Sequence, residues 1–277
     1  MRSTLRRSVA RPIPPSSPAR PATRTTTAAG VRARRSRDVG AGGQPLGGPD
    51  DDAGRADGSA RGYGGRVTAY AAVVLAGGAA RRMGGRDKPA LPVGGTPMRE
   101  RVLAAVADAA PRILVGPADA VPGDVLVTRE RPPGGGPVAA TAAGLALLPP
   151  DTTTVALLAA DLPLLTREAV GVLLRALHPE PDAASPGGPV ADGPDGVCLV
   201  DDRGRRQPLC GVWRAAALRD ALARLVGCRG GTPDGASMRE LLAELRVRDL
   251  AWSGSGPPPW FDCDTDSDVR RAEEWTR

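Results

Sequence analysis

Tyr70–Ala76 (YAAVVLA) is a continuous apolar run closed by Gly77-Gly78, which predicts a strand buried on both faces of a parallel sheet. Pro97–Ala110 places Met98, Val102 and Val106 on one helical face. Ile113–Val115 and Val125–Thr128 predict short strands, Pro137–Leu148 a helix of small residues, and Thr154–Ala159 a second strongly apolar strand running up to Asp161. Thr166–Leu177 predicts a helix with Thr166 as its N-cap. Val197–Val200 and Gln207–Trp213 flank the polar turn Asp201-Asp202-Arg203-Gly204 and predict a hairpin. Ala215–Val226 repeats Leu218, Ala221, Leu222 and Leu225 at helical spacing, and Ser237 with Glu240 forms a capping-box signature ahead of Leu241, Leu242 and Leu245. Arg246–Leu250 and Trp260–Asp262 predict late strands, and Thr265–Trp275 a closing helix with Thr265 and Asp268 in capping-box spacing. Strands alternating with helices predict an α/β fold: a mostly parallel sheet with helices on both faces and ligands at the carboxyl ends of its strands. The best-defined strand ends are Gly77-Gly78 and Asp161.

Residues 1–68 have no such periodicity. They hold 13 Arg, five Asp and neither Lys nor Glu, with many Gly and Pro, a composition expected to stay disordered because it buries too little to offset chain entropy. The organisation expected is therefore a disordered Arg/Gly/Pro-rich extension over 1–68 and one folded domain over 69–277. The extension has three functional readings: an arm for nucleic acid, a transit peptide, or no folded role, the last being the reading adopted. The overall charge of +6 belongs to this tail, since the remainder holds 24 basic and 26 acidic residues. Nucleic-acid binding is accordingly not expected of the folded part.

No apolar run reaches 18 residues, so no membrane span is expected. Cys198, Cys210, Cys228 and Cys263 include no C-x-x-C pair, and the single His178 follows an apolar helix, so neither a zinc site nor a histidine triad is expected. Reduced cysteines fit a cytoplasmic protein.

Of 37 basic residues only Lys88 is lysine. It closes the segment Leu75-Ala-Gly-Gly-Ala-Ala-Arg-Arg-Met-Gly-Gly-Arg-Asp-Lys88, where glycines let backbone N–H groups approach an anion and Arg81, Arg82, Arg86 and Lys88 surround it with positive charge. The spacing is neither Walker A nor G-x-G-x-x-G.

L-A-G-G-x-x-x-R-M-G-x-x-K after a first strand resembles the MobA-like NTP transferase family, and within it the molybdenum cofactor guanylyltransferases. Gly134-Gly-Gly-Pro137 resembles the family's G-G-P-L-A-G element, Ala159-Ala-Asp161-Leu-Pro163 its D-x-P, Gln207-Pro-Leu209 its Q-P-L, and Asp262-Cys-Asp-Thr265 its terminal D-x-D-T. The resemblance spans roughly 70–275. It implies a Rossmann-like nucleotide-diphospho-sugar transferase fold and the transfer of GMP from GTP to the terminal phosphate of molybdopterin, with release of pyrophosphate. It further implies Lys88 and Asp161 as catalytic residues, Leu75, Ala76, Gly77, Gly78, Lys88 and Asp161 as the nucleotide site, and Asp161 as a ligand of Mg²⁺. Arg82 is expected as a further catalytic residue at the triphosphate, the alternative being a solvated arginine, and Asp264 as a second metal ligand, the alternative being a charge that suits the N-terminus of the closing helix. Trp213 and Trp260 are expected to pack in the core or at its rim. GTP and molybdopterin are the expected partners. The protein is expected to be a monomer that docks onto molybdoenzyme-maturation proteins.

One departure concerns the base. Related sequences often read R-E-D where this chain has Arg129-Glu130-Arg131, and the Asp there helps to read guanine. Glu130 or a backbone carbonyl near Gly116 would have to substitute, or selectivity is altered. Cytidylyl transfer to the same cofactor, nucleotidyl transfer to a sugar phosphate, and nucleotide binding without turnover are the alternatives. Against the first two stand Leu75-Ala76-Gly77-Gly78, where cytidylyl relatives more often read L-A-A-G, and the lack of a longer proline-containing loop before Lys88.

Overall fold

The computed structural model describes residues 69–77, 87–117, 121–179 and 193–277. The extension over 1–68, and with it the reading of that segment, lies outside the described residues, as do Gly78 and Arg82.

β1 (Ala71–Leu75), β4 (Arg112–Val115), β5 (Val125–Thr128), β6 (Thr154–Ala159), β7 (Gly196–Val200), β8 (Arg206–Arg214) and β9 (Val247–Ala251) form one sheet in the order β5-β4-β1-β6-β8-β7-β9. Four pairings are parallel; those of β8 with β6 and with β7 are antiparallel. β1 alternates between two cores, as the period of a strand requires. Ala72 and Val74 face the side covered by α1 (Met98–Ala105) and α3 (Arg167–Leu177). Ala71, Val73 and Leu75 face the side covered by α2 (Pro137–Leu145), α4 (Ala215–Cys228) and α5 (Met238–Leu241). The mostly parallel sheet with helices on both faces is thus the observed architecture. Among the described residues no helix is long and apolar enough to cross a membrane.

α2 explains its own composition. A Cβ on Gly144 would lie 2.4 Å from Val73 Cγ1, so small residues let this helix lie close on β1 and β4. Trp213 is wholly buried, its ring lying over Gly196, the residue paired with it on β7; it is a core residue, as expected. Trp260 is half-buried at the rim of the α1/α3 core.

Three sequence expectations change. The helices predicted to Ala110 and Leu148 end at Ala105 and Leu145, where the chain tightens into three-residue turns (Ala109 N–H to Val106 O, Leu148 N–H to Leu145 O) before Pro111 and Pro149. Proline disfavours helical backbone in the residue preceding it. Trp260–Asp262 is not a strand: it follows Pro257-Pro258-Pro259, and Phe261 N–H closes a turn onto Pro258 O. After Lys88 the chain makes a 3-10 turn (Lys88–Ala90) and a two-stranded hairpin of β2 (Pro92–Val93) and β3 (Thr96–Pro97), too short to show a period. Gly94 and Gly95 take the positive φ angles that this tight turn needs.

Both capping boxes form, at Ser237–Glu240 and at Thr265–Asp268 ahead of α6 (Asp266–Trp275). Thr166 caps α3, its hydroxyl accepting from Ala169 N–H.

Candidate active site at the switch point of the sheet

The order of strands reverses between β1 and β6. Chain leaving β1 travels through β4 and β5 on one side, then returns to β6 on the other. Crevices at such switch points, outside the carboxyl ends of the strands, are where open α/β sheets bind ligands. Leu75–Gly77 and Asp161 leave the sheet there side by side. Ala76 N–H bonds to Val115 O and Ala160 N–H to Leu75 O, so the end of β1 is zipped to both neighbours.

Lys88 closes the crevice. Its ammonium donates to Asp161 Oδ2 and to Asp264 Oδ1, the second at 2.7 Å. Residues 73 and 176 positions apart from the lysine thus meet at one cation. Burial works to lower the Lys88 pKa, but the charges and hydrogen bonds of Asp161 and Asp264 outweigh it and hold the group above its ordinary value. The ammonium stays protonated at neutral pH. Asp262 is raised as well, here against its charged form: burial, and then the carboxylates of Asp264 and Asp161, push it up. Among the described residues no group of three or more His, Cys, Asp or Glu side chains is arranged to hold a metal; Asp161 and Asp264 are the carboxylates bonded to the Lys88 ammonium.

These groups converge because their segments share a small core. Val93 follows the Lys88 turn, Met98 opens α1, Leu164 follows Asp161, Cys263 lies between Asp262 and Asp264, and Ala272 belongs to α6; all five are buried together. Cys263 N–H also bonds to Asp161 O at 3.2 Å, and burial pushes the Cys263 thiol up to about 12. Cys263 is packing between two site residues. Cys198 and Cys210 are likewise buried with raised pKa values, Cys228 is exposed, and all four are free thiols.

On the other side of the crevice, Gly116 lies against the end of β1. Its φ is +141°, and a Cβ there would lie 2.8 Å from the Ala76 carbonyl carbon and 3.0 Å from Gly77 N. The Gly116 carbonyl accepts from Arg129 Nε at 3.3 Å. Glu130 reaches over Gly77: a Cβ on that glycine would lie 3.6 and 3.8 Å from the two Glu130 oxygens. Gly134 N–H steadies the carboxylate at 3.1 Å, while Arg131 is exposed. The loop of Gly134–Gly136 is held in turn by Gly235 N–H, which bonds to Gly135 O at 2.8 Å.

Of the residues singled out in the sequence, Leu75, Ala76, Gly77, Lys88, Asp161 and Asp264 are therefore brought to one place. Gly78 and Arg82 lie outside the described residues. The shared core beneath the site has no local signature in the sequence, since its members come from five separate segments. His178, bonded to Thr154 Oγ1 at 2.8 Å, sits at the opposite end of β6.

The profile of the MobA-like NTP transferase domain matches residues 72–248. The chain is 29% identical over 215 residues to a molybdenum cofactor guanylyltransferase of Bradyrhizobium sp. (strain ORS 278), covering 75% of this chain and 93% of that one. It is 30% identical over 210 residues to a molybdenum cofactor guanylyltransferase of Nitrobacter hamburgensis, covering 73% and 91%. The solved structure of molybdopterin-guanine dinucleotide biosynthesis protein A from Archaeoglobus fulgidus matches with a TM-score of 0.51 at 21% identity over 73% of this chain and 96% of that one, a likeness of fold. With Lys88, Asp161 and Asp264 meeting at the switch point of the sheet and the family profile matched over residues 72–248, the chain belongs to the MobA-like NTP transferase family, nucleotidyltransferases built on the nucleotide-diphospho-sugar transferase fold.

Proposed function

We propose that this protein transfers GMP from GTP to the terminal phosphate of molybdopterin, releasing pyrophosphate, with Mg²⁺ as its metal. The observation that carries this reading is the meeting of Lys88, Asp161 and Asp264 beside the backbone of Leu75–Gly77. An oxygen of the acceptor phosphate attacks the α-phosphorus of the nucleotide. The bond from that phosphorus to the bridging oxygen breaks, and the electron pair leaves with pyrophosphate. The nucleophile is already ionised, so the reaction needs no strong base, consistent with His178 lying at the far end of β6. What it needs is neutralisation of phosphate charge by groups already in place.

Lys88 supplies a compact ammonium that Asp161 and Asp264 keep protonated at neutral pH, and the backbone at Leu75–Gly77 supports the nucleotide. Asp161 and Asp264 are the residues that would hold Mg²⁺. Two carboxylates suit that ion, which keeps most of its shell for water and phosphate oxygens. When bound it supplies further charge neutralisation at the phosphates.

Guanine as the base is supported by Glu130. A carboxylate accepts from guanine N1–H and N2–H, and this one is held over Gly77 at the strand end. The Gly116 carbonyl, the other candidate acceptor, is engaged by Arg129. Two relatives, 29% and 30% identical to this chain, are both named molybdenum cofactor guanylyltransferases.

The test is nucleotide competition with molybdopterin present, reading pyrophosphate release. Turnover is expected with GTP and to depend on Mg²⁺, and Glu130→Gln is expected to reduce the preference for GTP over CTP by about tenfold or more. Turnover with CTP but not GTP refutes the assignment of the base.

A further inference from the structure

The Lys88 segment has little rigidity of its own. Its 3-10 turn has no buried residue and no side-chain cap, and the strand that follows is two residues long. The Asp161 segment is likewise a loop after β6. The small core beneath them draws the two loops together and the Lys88–Asp161 bond joins their side-chain tips, but neither fixes the spacing of the two backbones.

Arg101 spans them. It lies on the second turn of α1, half-buried. Its Nε donates to Pro163 O at 2.7 Å, two residues after Asp161, and its Nη1 donates to Val93 O at 3.2 Å, five residues after Lys88. The guanidinium is planar and its donors are rigidly spaced, so one side chain sets the separation of the two carbonyls. Lysine, with a single nitrogen, has no such fork. Met98 N–H also bonds to Leu91 O, a tie within the Lys88 segment. Cys263 N–H bonds to Asp161 O and fastens the Asp264 loop, not the lysine.

We infer that Arg101 is a positioning residue. By bridging the carbonyls of Val93 and Pro163 it fixes where Lys88 stands relative to Asp161, and so the geometry with which both meet the triphosphate. This rests on the proposed role of Lys88 and Asp161 at phosphate. The assignment of the bridge itself rests on the contacts alone. Arg101 touches neither reacting group: it acts through the two loops.

The test uses the full chain and two readouts. The first is residue-resolved hydrogen exchange of wild type and Arg101→Met, which keeps most of the apolar stem. Amides in 88–93 and in 161–165 are expected to exchange about tenfold faster or more, while those of β1 and β6 keep their protection. Unchanged exchange in either loop overturns the inference, as does an equal loss of protection throughout the sheet. The second is a double-mutant cycle in pyrophosphate release, using whichever nucleotide the wild type turns over. Arg101→Met alone is expected to lower kcat on the order of tenfold or more, since small misplacements of catalytic groups have effects of that size. In a Lys88→Ala background it is expected to cost less than about twofold, because what it positions is gone. Equal costs in both backgrounds overturn the inference. If Arg101→Met does not fold, Arg101→Lys carries both readouts: faster exchange in one or both loops with an unchanged Tm supports the bridge, and wild-type exchange with wild-type turnover overturns it. A wild type that uses CTP instead of GTP refutes the guanine reading and leaves the exchange result standing.

Discussion

Replacing Lys88 by methionine is expected to strengthen, not weaken, the binding of a divalent cation in the absence of nucleotide. The ammonium bridges the two carboxylates that would hold the ion, so a cation that binds both must first break two charge-assisted bonds. Their size follows from exposure. The side chains of Lys88 and Asp161 are 17% and 22% exposed, which places that bond near the lower limit of about 1.5–3 kcal/mol for hydrogen bonds to charged groups. Asp264 is 48% exposed, which places its bond within the range of about 0.2–1 kcal/mol measured for solvated pairs. Together they come to about 2 kcal/mol. At 1.4 kcal/mol per decade, that is about thirtyfold in Kd. Methionine keeps the length and packing of the stem while removing the charge. Titration of free Mn²⁺ by electron paramagnetic resonance, without nucleotide and at low salt, is expected to show about thirtyfold tighter binding in Lys88→Met. With nucleotide present the order is expected to reverse, since the lysine is then needed at phosphate. Equal or weaker Mn²⁺ binding by the nucleotide-free variant would refute the reasoning.

Gly116→Ala is expected to destabilise by about 2–4 kcal/mol, since it combines a positive φ with a Cβ 2.8 Å from the Ala76 carbonyl carbon; a Tm within a degree of wild type in differential scanning fluorimetry would show that the end of β1 yields freely. Nucleotide affinity is expected to fall with it, because the displaced backbone is Ala76–Gly77. Burial and then the nearby Arg214 charge lower the His178 pKa from its ordinary 6.5. The unfolded chain therefore binds this proton more readily, and stability is expected to fall as pH drops below about 6.5 towards the folded pKa, with no contribution above it. His178→Gln is expected to flatten that slope in urea titrations between pH 5 and 7, and an unchanged slope would place the titrating group elsewhere.

What the sequence determined by itself was the local and the periodic. β1, β5 and β6 are apolar runs bounded by glycine or charge, and their limits were legible to within a residue or two. Both capping boxes and the Thr166 cap form as expected, because a cap is decided by residues three apart. Lys88 stood out by being alone, and Asp161 by ending the most apolar strand of the second half. Where helices stop was less legible, since the turns before Pro111 and Pro149 still carry helix-compatible residues. The late strand at Trp260–Asp262 failed because an aromatic pair passed for β propensity while three prolines ahead of it set up a turn. Only the tertiary structure decided the rest: that Lys88, Asp161 and Asp264 share one contact, that Glu130 and not the exposed Arg131 reaches over Gly77, and that Arg101 joins two loops. Periodicity and capping are properties of neighbours along the chain. A crevice at a switch point joins strand ends far apart in sequence, and the small core of Val93, Met98, Leu164, Cys263 and Ala272 that draws them together leaves no period to read.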